Sequence, residues 1–332
     1  MIQRLFSRMR CCVARTVTAL VLMGIASGVQ AQAWPSKPVR MLVPYPTGGP
    51  IDVFVRGITD RLAQTWGQAI LIDNRPGGST IPSAEVVAKS PADGYTLLFT
   101  TDATFTINPH LFLKLPYDAQ KDFDPVTLVA YLHMMMVAKP DLPANTINEL
   151  VALVKSRPGK LNYGSFGSGS QPHLATEQLK SKAGINVLHV PYKALPDAMF
   201  AVLKDEVQLT FIGPGTAISQ VKGGKLKALA IAGQKRHPLF PDLPTFAESG
   251  YPEIDADVWY GIFAPAGTPR EIVTRIHRDV LRWVNDPELR EKHFLGRGYT
   301  PAGISPEEFI VHIRRELASR AHTVKISGAK AE

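Results

Sequence analysis

Four short turns concentrate the residues of this chain that could do chemistry: Thr47-Gly48-Gly49-Pro50-Ile51-Asp52, Pro76-Gly77-Gly78-Ser79-Thr80, Gly164 to Ser170 with Gln171-Pro172-His173, and Gly213-Pro214-Gly215-Thr216. Each is rich in glycine or hydroxyl residues and follows a short apolar run. Glycines let backbone N–H groups turn towards a guest, and the first turn of a helix carries roughly half a positive charge. Hydrogen bonds to charged groups are worth about 1.5–3 kcal/mol each, so four or five such donors could hold a carboxylate without an arginine. Each turn taken singly could equally be a helix cap, for which Ser79, Ser170 and Thr216 are suited.

Other chemistries lack their residues. No G-x-S-x-G elbow is present, because Tyr163 and Phe166 stand where a first glycine would precede Ser165 and Ser168. Ser219 and Lys222 match S-x-x-K without its companion motifs, and the nine histidines include no H-E-x-x-H. His173 and Glu177, one helical turn apart, form a surface pair more readily than a metal site. Gly167-Ser168-Gly169 lacks the third glycine of a dinucleotide fingerprint and runs into Pro172. No catalytic group, metal or cofactor is expected.

The turns need strands and helices to bring them together. Val39 to Tyr45, Ala69 to Asp73 and Tyr95 to Thr100 read as strands, alternating with helices Pro50 to Trp66 and Thr80 to Lys89. Within the first helix Val53, Val55, Ile58, Leu62 and Trp66 recur at helical spacing, with Arg56, Asp60, Arg61 and Gln64 on the other face. A second series follows Pro143: helices Thr146 to Ser156, Pro172 to Ala183, Pro196 to Leu203 and Thr216 to Lys222 alternate with strands Leu161 to Gly164, Val187 to Val190, Val207 to Ile212 and Leu226 to Ala232. Such βαβ series imply two α/β units, each with a parallel sheet covered by helices. Two apolar runs, Val126 to Lys139 with its three methionines and Ala256 to Ala264, join them as a hinge would. Helices Pro269 to Asn285 and Pro306 to Arg320 return to the first unit. Three of the four turns precede a helix whose first turn can point at a common cleft.

Arg4, Arg8, Arg10 and Arg15 before the apolar run Val17 to Ala26, and the small residues ending at Ala31-Gln32-Ala33, read as a secretory signal peptide cleaved near Ala31 to Ala33. Both cysteines, Cys11 and Cys12, lie in this leader, so the exported chain carries no disulfide. Removing the four leader arginines lowers Lys+Arg from 37 to 33 against 29 acidic residues, and the formal net charge from +8 to +4. The remaining cations are scattered, which argues against nucleic acid as a partner and leaves a mild field favouring anions.

Read in order, Val43-Pro44-Tyr45-Pro46-Thr47-Gly48-Gly49-Pro50-Ile51-Asp52, Asp73-Asn74-Arg75-Pro76-Gly77-Gly78, Ala92-Asp93-Gly94-Tyr95-Thr96-Leu97-Leu98, Asn108-Pro109-His110-Leu111, Asn162-Tyr163-Gly164-Ser165 and His189-Val190-Pro191-Tyr192-Lys193 form a series of signatures. Gly224 to Ala230 and Phe263 to Pro269 extend it over nearly the whole mature chain. The chain resembles the Bug family, the TctC-like solute-binding receptors of tripartite tricarboxylate transporters. The resemblance implies a two-lobed type II periplasmic-binding-protein fold, each lobe a sheet flanked by helices, joined by a two-strand hinge. The lobes would be 34–130 with 260–332, and 131–259, behind a leader of 1–33. It implies a monomeric periplasmic receptor, not an enzyme, closing on a small di- or tricarboxylate or aromatic acid and delivering it to membrane transporter subunits.

Carried over by position, Tyr45, Thr47, Gly48 and Gly49 would hold one carboxylate directly or through water. Ser79 and Thr80 would face the cleft from the second turn, and Ser165, Ser168 and Ser170 from the opposite lobe. Thr101, Asp102, Tyr192 and Gly213 complete the candidate ligand contacts. Two departures stand out. The aspartate common after the strand ending at Phe211 is replaced by Ile212-Gly213, which argues against amino-acid ligands, and Asp102 stands where a small polar residue is usual. Asp102 either turns away from a ligand carboxylate or binds a cationic or hydroxyl group on it. Use of the receptor for sensing, and a secreted hydrolase using a loop serine, are the alternative functions.

Overall fold

The computed structural model describes residues 34–330, so the expected leader lies outside the described residues. In chain order the elements are β1 (Val39–Val43), α1 (Pro50–Trp66), β2 (Ile70–Asn74), α2 (Ile81–Ala88), β3 (Thr96–Thr101), a π turn at Ala103–Ile107, α3 (Asn108–Leu111), β4 (Phe123–His133), β5 (Met135–Ala138) and α4 (Ile147–Ser156). There follow β6 (Asn162–Ser165), α5 (Gln171–Ala183), β7 (Leu188–Pro191), α6 (Leu195–Leu203), β8 (Leu209–Ile212), α7 (Pro214–Lys222), β9 (Lys227–Ile231), β10 (Asp257–Pro265), α8 (Arg270–Val284), β11 (Thr300–Pro301) and α9 (Pro306–Ser327).

Two sheets result, one per lobe. The first has the order β11-β4-β10-β3-β1-β2 and the second β7-β6-β8-β5-β9. Both lie within the unit Lys37–Glu332. The expected parallel pairing holds for β2-β1-β3 and for β7-β6-β8. The rest of each sheet is antiparallel, through β10 and β4 in the first and β5 in the second. The reason is the hinge: strands that carry the chain out of one lobe and back into it run in opposite directions.

The long apolar run around the methionines is accordingly two strands. β4 pairs with β10 in the first sheet, up to His133 opposite Asp257, and Met135 begins the second sheet between Ile212 and Ile231. At the crossing Met134 N–H donates to Ala256 O at 3.2 Å, so the two connections brace one another. Met134, Met135 and Met136 are all buried, filling the junction as unbranched side chains can.

Local chemistry explains the ends of the elements. Pro50 opens α1, where its missing N–H costs nothing, and Gly67 closes it in left-handed conformation at φ 63°. The helix packs Phe54, Val55, Ile58, Leu62 and Trp66 inward. At the start of α9 Ser305 and Glu308 form a reciprocal capping box. α9 then runs along both lobes: Ile107 and Leu174, one from each, meet Val324 in a single apolar cluster that Leu111 joins. Phe105, Trp259, Phe263 and Phe309 stack in the core of the first lobe.

Candidate carboxylate cleft

The loop after β1 is braced from beneath. Asp52, on the first turn of α1, is 1% exposed. Its Oδ2 accepts from Gly48 N–H at 2.9 Å and Arg56 Nε at 2.8 Å, and its Oδ1 from Asn74 Nδ2 at 2.9 Å. Burial pushes the Asp52 carboxyl up, but the bonds from Arg56, Gly48 and Asn74 outweigh it and hold the group below the usual carboxylate range. The Asn74 amide also donates to Tyr45 O, and the Thr47 hydroxyl donates to Asn74 Oδ1 at 3.0 Å. Tyr45 OH donates to Thr101 Oγ1 at 3.2 Å. The structure therefore commits the Gly48 amide to Asp52. The amides of Ile51 and Asp52 are left as the orphan donors at the α1 terminus. Gly48 needs its glycine, at φ 78°.

The second turn is stranger. Gly77, Gly78, Ser79 and Thr80 all have positive φ, at 95°, 53°, 51° and 73°. Ser79 does not cap α2; Thr80 is the cap residue, without a side-chain cap bond. Thr80 Oγ1 instead lies 2.8 Å from Thr104 Oγ1, itself 2.7 Å from Thr100 Oγ1. Thr80 is buried, whereas Ser79 is exposed and its hydroxyl has no internal partner.

In the second lobe the loop after β6 is pinned by two stacked imidazoles. His173 and His189 lie face to face, 4.0 Å apart and within 5° of parallel, with Tyr163 stacked on His189 at 4.9 Å. Gly169 N–H donates to His173 Nδ1 at 3.0 Å, which requires a neutral ring. Burial, the neighbouring His173 and Lys180 push His189 down to about 4, and burial lowers His173 as well.

Ser165 is fully buried, its Oγ 2.6 Å from His189 Nε2 and within bonding distance of both the N–H and C=O of Gly167. A serine so enclosed anchors the loop and cannot meet a substrate. Ser170 also bonds to Gly167 O, at 2.7 Å, rather than capping α5. Ser168 is the exposed hydroxyl of this turn.

Tyr192 lies over Gly164, where an added Cβ would be 3.3 Å from its ring, and its hydroxyl reaches towards Glu206 at 3.4 Å. Gly213 is the cap residue of α7; a Cβ there would lie 2.9 Å from Leu132 Cδ1 on the hinge. Leu132 thus fills the place a side chain at 213 would take.

Asp102, just after β3, is 1% exposed and faces Arg320 on α9. Its Oδ2 is 4.0 Å from Arg320 Nη2 and has no hydrogen bond; Arg320, itself 1% exposed, pairs with Asp255 at 2.8 Å. Burial drives the Asp102 carboxyl well above the usual range; Arg320 opposes this, while Glu316 and Asp255 add to it. Arg320 is the residue that sequence reasoning missed here. Nothing local signals it, since it sits on an amphipathic helix more than 200 positions away. Asp52, Asn74 and Asn108, which hold the loops, were visible only as parts of motifs.

The lobes approach closely at two places. A Cβ on Gly169 would lie 2.3 Å from Leu111 Cδ1, and one on Gly215 would lie 2.1 Å from Arg297 O.

The arrangement has counterparts. Residues 54–313 match the family described as "Tripartite tricarboxylate transporter family receptor". Protein BugT of Bordetella pertussis is 33% identical over 308 residues, covering 92% of this chain and 94% of that one. Among solved structures, Rpa4515 of R. palustris with adipate superposes with a TM-score of 0.81 at 33% identity, over 90% of this chain and 99% of that one. MatC of Rhodopseudomonas palustris, with bound malate, gives 0.76 at 30% identity, over 88% and 100%. With its two lobes, its hinge and this similarity along most of its length, the chain belongs to the tripartite tricarboxylate transporter receptor family of solute-binding proteins, which are not enzymes.

Proposed function

We propose that this protein captures a small organic carboxylate between its lobes outside the cytoplasm and delivers it, as a monomer, to the membrane subunits of a tripartite tricarboxylate-type transporter. One observation carries the reading: the turns after β1, β2 and β6 present unpartnered donors, namely the Ile51 and Asp52 amides and the Ser79 and Ser168 hydroxyls, which in this reading face one cleft. Similar receptors with adipate and malate support a carboxylate as the guest. In this reading 1–33 is a cleaved export signal, and 34–130 with 260–332 closes on 131–259. Closure follows because a ligand that binds both lobes favours the state in which they meet.

The loop serines do not support hydrolysis, since Ser165 is buried against His189 and Gly167. A thermal-shift panel of di-, tri- and aromatic carboxylates tests the proposal. A true ligand raises the unfolding temperature by mass action and is recovered unchanged. Turnover of a stabilising compound, or no stabilisation by any carboxylate, overturns it. Reconstituted uptake with the membrane subunits separates transport from sensing.

A further inference from the structure

Ser79 (φ 51°, ψ 39°) and Thr80 (φ 73°, ψ −8°) both hold left-handed backbone without being glycine. A Cβ makes that conformation costly, and a β-branched residue there is a genuine outlier. Such strain persists only where the surroundings over-determine it. The surroundings here converge on Asn108, the first residue of α3 and 1% exposed. Its Nδ2 donates to Ser79 O at 2.7 Å and lies 3.3 Å from Tyr117 OH and 3.5 Å from Thr80 Oγ1. Tyr117 OH in turn donates to Thr104 O at 2.9 Å, and Thr104 Oγ1 joins the hydroxyls of Thr80 and Thr100.

All of these supports are buried. Ser79 itself is exposed, with a free hydroxyl. A strained turn held by a buried amide, with an exposed and unpartnered hydroxyl on it, has the form of a turn shaped to hold something.

We infer that Asn108 is a positioning residue for ligand binding: its carboxamide, bonded to Ser79 O, holds Gly77 to Thr80 in the left-handed turn that presents Ser79 to the ligand carboxylate. This rests on the carboxylate reading of the cleft. Asparagine suits the task because it supplies a short, uncharged donor. Aspartate has the same shape without the donor, and would set a carboxylate oxygen against the Ser79 carbonyl.

The test is a double-mutant cycle on the mature chain, with adipate, malate, citrate and benzoate as probes and affinity read by calorimetry. Asn108→Ala should weaken binding of the responsive probe about tenfold or more in the Thr80 background. In a Thr80→Gly background the same substitution should cost less than about threefold, because glycine adopts φ 73° unaided. Equal losses in both backgrounds, or no loss, overturn the positioning role. If Asn108→Ala does not fold, Asn108→Asp removes the donor at constant shape and is read the same way. Wild-type protein that responds to none of the probes overturns the carboxylate reading, and this inference with it; a wild type that binds while Asn108 proves neutral overturns this inference alone.

Discussion

Replacing Gly215 by alanine puts closure itself to the test. The added methyl would sit 2.1 Å from Arg297 O and 2.7 Å from its carbonyl carbon, where ordinary contact begins at 3.4 Å. The rim must therefore open by about 1.3 Å at this point. The obstacle is backbone on both sides, since Gly298 lies against Gly215 N and itself holds φ 83°. No flexible side chain can move aside. Overpacking of this kind costs about 1–3 kcal/mol, and it falls on any state in which the lobes touch here.

If only the closed form grips a ligand, its smaller population raises the apparent Kd roughly 5- to 150-fold. Calorimetry on wild type and Gly215→Ala measures that ratio, and small-angle scattering with and without the carboxylate reports whether the variant still compacts. Unchanged affinity together with full compaction would show that the lobes need not touch here, and would refute the closure argument.

Other outcomes follow from the buried charges and the loop braces. Arg320→Met leaves Asp102 and Asp255 without their cation and should cost about 1–3 kcal/mol at pH 7, less than for a fully buried pair because the Asp255 side chain is 37% exposed. Burial already raises both carboxyls above 3.8 in the folded state, so native protein binds more protons than unfolded chain above that value. The loss should shrink as pH falls from 7 to 5, read from denaturant midpoints; a loss constant with pH counts against the ion-pair account. The histidine stack acts in the opposite sense. His189 is held near 4 against 6.5 when unfolded, so its neutral form contributes stability above 6.5 that is lost as pH falls towards 4. His189→Phe should flatten the drop in melting temperature over that window, and an unaltered slope assigns the drop to other groups. Asp52→Ala deprives Gly48, Arg56 and Asn74 of their acceptor, and should cost about 1–3 kcal/mol of stability with weaker carboxylate binding. Equal affinity in calorimetry would show that the brace does not shape the loop for its guest.

Much of this architecture was legible in residue order. Alternating short apolar runs and amphipathic stretches located the strands and helices of both lobes, because burial periodicity is local. The glycine-rich turns at the strand ends were equally visible, since φ above zero restricts residue type at positions such as Gly48. The methionine run was not legible as two strands. Its residues are predominantly apolar with no turn signal, and only pairing with β10 on one side and with β8 and β9 on the other breaks it at Met134.

The turn residues show the same boundary. Ser79, Ser170 and Thr216 carry side chains that suit a helix cap, yet none caps, because Asn108, Gly167 and the start of α7 at Pro214 decide their surroundings. The sequence by itself determined that this is a two-lobed α/β receptor with donor-rich turns and no nucleophile, for those are matters of residue type and spacing. Which donors remain free, where Asp102 points and how far the lobes close depend on partners far away along the chain. Asp102 meets Arg320, and Gly215 meets Gly298. Only tertiary folding brings them within reach, and at these distances a single side chain or its absence sets the result.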